Sequence, residues 1–343
     1  MTVSAEPVEQ ADLQAMSRMM ELGDYIIPFA LRVTADLGVA DQLASGPLPI
    51  GELAASVGAD AGALARVLRA LASKGIFTET AAGVFGLTPM ADLLRSDHPL
   101  SMRASYTLLD ADVQAWAKFD VSVRTGMNAF EHVHGCQYWE YLDAHPDFRA
   151  RFDASMRGFT AMELRVILAA FDWGQFGTVA DLGGGTGGLL AGLLAAFPGM
   201  RGVLMDLPET AGRARAVLAE AGVADRCEVI AGSFFDSVPQ GADAYFLKRV
   251  LYSWDDDACA GVLRMIREAM APGGRVIVID PILRNGPESS MTKIQDLLVL
   301  AVDRGHTRTR KEMAALAERS GFRLARMIPT YIFPVTVLEP IGT

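Results

Sequence analysis

The chain has 343 residues, of which 51% are apolar and 21% charged, and a formal net charge of −10. That length predicts two domains sharing an interface, and the composition is that of a well-packed enzyme, excluding a disordered or fibrous chain. The acidic balance argues against general affinity for nucleic-acid backbones or anionic membranes and favours a small-molecule partner.

Cys136, Cys227 and Cys259 are far apart, odd in number and without metal-type spacing, so they read as reduced packing residues. Met1 to Ala15 carries acidic residues and no apolar run, which fits neither a secretory signal nor a transit peptide. No later stretch is long and apolar enough to span a membrane, so a cytoplasmic protein is expected. Only the first dozen residues have a disordered character.

From Leu13 to Gly46 apolar residues recur at helical spacing, predicting two helices split near Pro28. Pro49 to Thr88 reads as a helix over Ile50–Val57, a turn, a second helix over Ala61–Lys74, and a hairpin of Ile76–Thr78 with Val84–Leu87. That is a winged helix. The second helix carries only Arg66, Arg69 and Lys74 among Ala and Leu, too few cations and polar groups to read a DNA groove, so no nucleic-acid partner is expected. The unusually apolar helices before and after it suit a dimer interface. Residues 1–100 are therefore taken as a winged-helix dimerisation domain.

A helical segment rich in aromatic residues and methionine follows, taken as 101–165. Most of these side chains belong to a core, and a minority line a pocket for a flat ligand; Trp116, Phe152, Met156, Phe159 and Met162 are the candidates. From 166 to 343 strands alternate with helices, the pattern of a doubly wound α/β sheet. Strands are expected at 178–182, 202–206, 227–231, 242–250, 275–280, 322–328 and 333–338, with a helix over 257–270.

The first of these strands runs into Asp181-Leu-Gly-Gly-Gly-Thr-Gly-Gly188 and then into an apolar helix. Glycines let that backbone turn tightly against a ligand, and the helix N-terminus offers unpaired N–H groups. Taken alone the string fits a dinucleotide fingerprint, with Asp206 as the ribose-binding acid. Asp181 inside the turn would repel a pyrophosphate and would hold a ligand bearing sulfonium and ammonium groups. Ala271-Pro-Gly-Gly274 precedes the fifth strand.

With these motifs the sequence resembles class I methyltransferases. The set Asp181–Gly185, Asp206-Leu-Pro208, Gly232-Ser-Phe-Phe235, Leu247-Lys248, Trp254-Asp-Asp256, Pro272–Gly274 and Arg308-Thr309 is similar to bacterial relatives of plant caffeic-acid-type O-methyltransferases over almost the whole chain. Within that family, Ile27–Val33 looks like the anthracycline-tailoring members. The resemblance implies a Rossmann-like, seven-stranded, mostly parallel sheet, a homodimer, and S-adenosyl-L-methionine as cofactor.

Carried over position by position, it places Asp181, Gly183 and Gly185 at the methionine end of the cofactor and Asp206, with Leu207, at the ribose. Ser233 and Phe234 flank the adenine, and Lys248 reaches the cofactor from the end of strand four. The sequence departs from the family at the catalytic base. The expected histidine is Tyr252, and the glutamate that would orient it is Thr307, while the acid after strand five, Asp280, is in place. A tyrosine near its usual pKa of about 10 is a poor base at neutral pH.

The site candidates are thus Tyr252, Asp280, His306 and Thr307 for catalysis, with Tyr252 and Asp296 also at the acceptor. The expected reaction is O-methylation of an aromatic or polyketide-like natural product by positioning. Transfer to nitrogen or carbon, a non-methylating tailoring step on the same cofactor, and a DNA-binding regulator are the alternatives. His132-Val-His134 lacks acidic or thiol partners in a metal pattern, and no metal is expected.

Overall fold

The computed structural model describes residues 10–107 and 109–342, and the expectation for residues 1–9 lies outside them. The chain divides into two compact units, Met1–Leu108 and Leu109–Thr343, so most of the helical stretch at 101–165 belongs with the second.

In the first unit the break between the leading helices falls earlier than at Pro28. They span Gln10–Leu22 and Ile26–Leu37, with Gly23–Tyr25 between them. Pro28 lies in the first turn of the second helix, where the backbone needs no N–H donor, so it starts that helix and does not split it. The Asp24 carboxylate accepts the N–H groups of Ile26 and Ile27 at 2.7 and 3.1 Å.

Helices Ile50–Val57 and Ala61–Ala72 follow, joined at Gly58, whose φ of 67° closes the first, and at Asp60, which accepts the Ala63 N–H at 2.7 Å. The second helix stops two residues short of Lys74. It buries Leu64, Leu68 and Leu71, one stripe at helical spacing, against Leu53, Phe77 and Phe85.

The wing has three strands, β1 (Leu48–Pro49), β2 (Phe77–Ala81) and β3 (Val84–Leu87), in the order β1-β3-β2 and antiparallel. The helix Gln10–Leu22 has no buried residue, and Met16, Met19 and Met20 are 58%, 71% and 75% exposed.

The second unit holds one sheet of seven strands. They are β4 (Thr178–Leu182), β5 (Arg201–Asp206), β6 (Cys227–Ala231), β7 (Ala244–Lys248), β8 (Arg275–Ile279), β9 (Phe322–Ile328) and β10 (Val335–Pro340). The order is β6-β5-β4-β7-β8-β10-β9; β4 to β8 are parallel, and β10 is antiparallel to both its neighbours.

Near-continuous apolar runs such as Val276–Ile279 are what a sheet covered on both faces requires. Strand order reverses beside β4, which opens a crevice at the carboxyl ends of β4, β5 and β7. One face of that crevice is lined by the 25-residue helix Pro146–Ala170. It packs closely on the helix Gly188–Ala196, where a Cβ on Gly192 would lie 2.4 Å from the Leu164 side chain.

The structure shortens β7 at both ends relative to 242–250. Arg249 leaves the strand at φ 58°, the one non-glycine residue with positive φ among the described residues.

Candidate active site

The carboxyl ends of the strands and the long helix enclose a cavity of about 360 Å³. Its floor is the turn after β4. Gly183 and Gly185 have φ of 67° and 60°, in the left-handed region that suits glycine. A Cβ on Gly183 would lie 3.0 Å from Val250 and 3.4 Å from Phe234, filling the space between them. Asp181, at the carboxyl end of β4, is 2% exposed, and its Oδ2 has no hydrogen-bond partner among the described residues. Burial pushes its pKa up to about 7 against the pull of Lys248, and the Asp206 charge adds to the rise.

Asp206 ends β5. Its Oδ2 accepts the Gly185 N–H and its Oδ1 the Leu207 N–H, each at 2.8 Å. Burial raises its pKa, and the two N–H bonds, then Arg149, oppose that. Each oxygen keeps a further lone pair for a ligand hydroxyl. Gly232 donates to the Asp206 carbonyl at 3.0 Å, which brings Ser233 and Phe234 to the cavity.

The opposite wall comes from the long helix. Arg149, Asp153, Met156, Thr160 and Glu163 recur at spacings of four and three and so share one face, the first four lining the cavity and Glu163 lying behind the lining. Arg149 donates to Asp153 at 3.2 Å, to Asp143 at 3.1 Å and to the Thr210 hydroxyl, and lies 3.8 Å from Asp206. Glu163, 2% exposed, pairs with Lys248 at 2.7 Å and Arg249 at 2.5 Å. Burial works against its charge, but the two cations hold its pKa below the usual range. Lys248 also donates to the Thr160 hydroxyl at 3.0 Å, and burial lowers its pKa although Glu163 opposes this.

The other end of the cavity is bounded by residues 249–254. Asp280, just past β8 and buried, has Oδ1 on the Val250 N–H and Oδ2 on the Tyr252 N–H, both at 3.1 Å. Burial pushes its pKa up to about 6, opposed by those bonds. From outside, the buried Arg308 donates to the carbonyls of Leu251 and Trp254 at 2.8 and 2.9 Å and to Asp256 at 2.8 Å. Gly305 presses on the same loop: a Cβ there would lie 2.1 Å from the Tyr252 carbonyl oxygen.

Burial pushes the Tyr252 hydroxyl up to about 12, with Arg249 pulling it down and Asp280 and Asp303 pushing it further up. At neutral pH it is protonated and can donate a hydrogen bond, and it cannot serve as a base.

Eleven of the residues singled out from sequence line this cavity: Asp181, Gly183, Gly185, Asp206, Leu207, Ser233, Phe234, Lys248, Phe152, Met156 and Tyr252. Others lie elsewhere. Trp116 is 38% exposed and packs on Phe119 at 4.7 Å. Phe159 lies behind the lining, its ring 4.9 Å from the Arg249 guanidinium, and Met162 is half-buried outside it. Asp280 is under the loop. His306 is exposed, its ring 3.9 Å from Asp256 at the surface. Thr307 is buried and donates its N–H to Asp296 at 2.7 Å, which places both behind the wall.

Arg149, Glu163 and Arg249 were not among the residues expected. The signal that could have found the first two is the polar stripe along an otherwise aromatic helix. His132 and His134 sit two apart on a helix and point away from each other, and His134 bonds the Ala111 carbonyl at 3.1 Å. No group of three or more His, Cys, Asp or Glu among the described residues is placed to hold a metal ion.

The sheet order, the glycine turn with a buried unpartnered carboxylate, and the acid ending the second strand define a class I methyltransferase that uses S-adenosylmethionine. Asp181 suits its cationic methionine end, and the space beside Gly183 admits a group where a side chain would not fit. Comparison with known proteins agrees. The model of the O-methyltransferase domain matches residues 116–323 and that of the O-methyltransferase dimerisation domain residues 11–97, and the chain belongs to this family.

It is 42% identical to a phenazine O-methyltransferase of Lysobacter antibioticus over 89% of this chain and 90% of that one. A crystal structure of an O-methyltransferase from neocarzinostatin biosynthesis, with S-adenosylmethionine and 2-hydroxy-5-methyl naphthoic acid, matches with a TM-score of 0.81. The two are 34% identical, over 94% of this chain and 98% of that one. An aclacinomycin 10-hydroxylase of Streptomyces purpurascens is also similar, 34% identical over 93% of this chain and 87% of that one.

Proposed function

We propose that the protein O-methylates an aromatic or polyketide-like natural product, as a homodimer and without a general base. The observation that carries this is Tyr252: the residue at the family's base position has a hydroxyl held at about 12. S-adenosylmethionine, when bound, supplies an electrophilic methyl on sulfur. The acceptor oxygen forms the new C–O bond as the C–S bond breaks and its electron pair stays on sulfur, the acceptor proton having gone to solvent beforehand.

The chain's part is to align the two. Asp181 and Asp206 fix the donor end, and the wall of Phe152, Met156 and Tyr252 fixes the aromatic acceptor. Holding two reactants in line contributes on the order of 7–11 kcal/mol, more than the roughly 3–5 kcal/mol of a general base worth 10²–10⁴, so positioning suffices for an acceptor that ionises readily. Incubation with S-adenosylmethionine and a panel of aromatic hydroxyl compounds should yield a product heavier by one CH₂ on mass spectrometry. Because one relative is a hydroxylase, a product heavier by one oxygen instead would reassign the reaction.

The homodimer rests on the dimerisation-domain match and on the exposed apolar helix Gln10–Leu22. Light scattering should give twice the chain mass, and replacing Met16 and Met20 by glutamate should shift it toward a single chain.

A further inference from the structure

Arg249 lines the cavity yet belongs to none of the roles above, and four observations concern it. Its backbone is in the left-handed region, a conformation that costs a non-glycine residue free energy and persists only where the surroundings enforce it. Its N–H donates to the Ile279 carbonyl at 3.1 Å, which fixes the bend. Its guanidinium is clamped between the rings of Phe159 and Phe333, at 4.9 and 4.5 Å. Its charge acts on the Tyr252 hydroxyl, pulling that group's pKa down, and its Nε–H is buried without a partner among the described residues.

Two consequences follow from donor chemistry and charge. A guanidinium has donors and no acceptor, so toward Arg249 the Tyr252 oxygen can only accept, and its proton is left to point elsewhere. Tyr252 and Arg249 therefore both present donors. The second consequence is electrostatic: Lys248 and Arg249 share the carboxylate of Glu163, and the next carboxyl to act on the cluster, Asp181, does so through Lys248. Arg249 thus divides its counter-ion with a second cation, and an anion beside a buried, under-compensated charge is favoured.

We propose that Arg249, with Tyr252, is an anion-recognition pair that selects acceptors already ionised: aromatic hydroxyls made acidic by a conjugated carbonyl, whose second oxygen takes these two donors. The pair holds the carbonyl oxygen while the neighbouring oxygen faces the methyl donor. This deepens the proposed O-methylation and rests on it.

The test uses the whole protein with S-adenosylhomocysteine bound. Calorimetry compares 2-hydroxy-1,4-naphthoquinone, which is ionised at neutral pH, with its uncharged methyl ether. The acid should bind tighter by about tenfold or more, the range of a charge-assisted hydrogen bond. Arg249→Met should abolish that ratio, Arg249→Lys should restore part of it, and Tyr252→Phe should reduce it less. A role in packing alone would lower both affinities together and leave the ratio unchanged.

Equal affinity of the wild type for the two compounds, no binding of the acid, or an undiminished ratio in a folded Arg249→Met protein would each overturn the proposal. The wild-type ratio decides the matter even if Arg249→Met does not fold. Methyl-transfer assays separate the two claims. Anion preference with no methylated product from any acceptor would overturn the proposed function alone, whereas equal turnover of neutral and ionised phenols would overturn the anion pair alone.

Discussion

The two ends of the cavity are built in opposite ways. At the cofactor end the functional groups are mostly backbone, or carboxylates gripping backbone: the Gly183–Gly185 turn, and Asp206 holding the N–H groups of Gly185 and Leu207. At the proposed acceptor end they are long side chains brought from distant elements, with Glu163 on one helix meeting Arg249 just past a strand end. The first design fixes one ligand whose shape does not vary. The second leaves the backbone alone and lets side chains decide which acceptor fits.

If that contrast is right, the cofactor end should be the more fragile. Asp206→Ala removes both the proposed ribose partner and the anchor of the turn, so S-adenosylmethionine and S-adenosylhomocysteine should each lose on the order of 10- to 100-fold in affinity by calorimetry, the value of hydrogen bonds to a charged group. Retained affinity would mean that the turn is held by other contacts.

A smaller effect should come from pH. Asp181 has a pKa raised to about 7, so below that pH it is neutral and above it a carboxylate ready for a cation. Binding of S-adenosylhomocysteine should strengthen as pH rises from about 6 to 8 and release protons, by up to about tenfold per pH unit. Asp181→Asn should flatten the profile.

The same shift has the reverse sign for the cofactor-free fold. A carboxyl that binds its proton more tightly folded than unfolded favours the folded state below the unfolded value near 3.8, and this contribution fades as pH rises to about 7. Asp280, raised to about 6, and Asp303, raised to about 7, act in the same sense. Thermal melts without cofactor should show this part of the stability falling from pH 4 to 7, and added S-adenosylhomocysteine should compensate most at the upper end.

The smallest effect expected is at the acceptor end. Tyr252→Phe keeps the ring and loses one donor, so kcat should fall by less than about tenfold, with the larger change in KM for the acceptor. Loss of a true general base would cost about 10²–10⁴ in kcat. A fall of that size with cofactor affinity intact would make the hydroxyl part of the transition state.

The same contrast explains what could be read in advance. The glycine turn, Asp206 and the apolar runs of the seven-stranded sheet are local patterns, and β4, β6 and β9 occur where periodicity placed them, with β5, β7, β8 and β10 within two residues at each end; β1 was not expected, and β2 runs three residues further than expected. Pro28 reads as a break because proline ends helices in their interior, but a first turn tolerates it. The acceptor wall depends on contacts such as Glu163 with Arg249, 86 residues apart, which no local pattern encodes. Aromatic residues dominate the sequence of the long helix and obscure its polar stripe, which carries the charges beside the cavity.

Gly305 adds a consequence for how such an enzyme changes over time. No side chain fits between it and the Tyr252 carbonyl, so the segments bearing positions 252 and 307 lie main chain against main chain, clamped further by Arg308 and Asp280. Their geometry is then insensitive to what those two positions carry. On the proposed assignment of these positions, an imidazole with a carboxylate partner and a phenol with a small hydroxyl would hang from the same mount, so exchanging one pair for the other would change two side chains and leave the scaffold as it is.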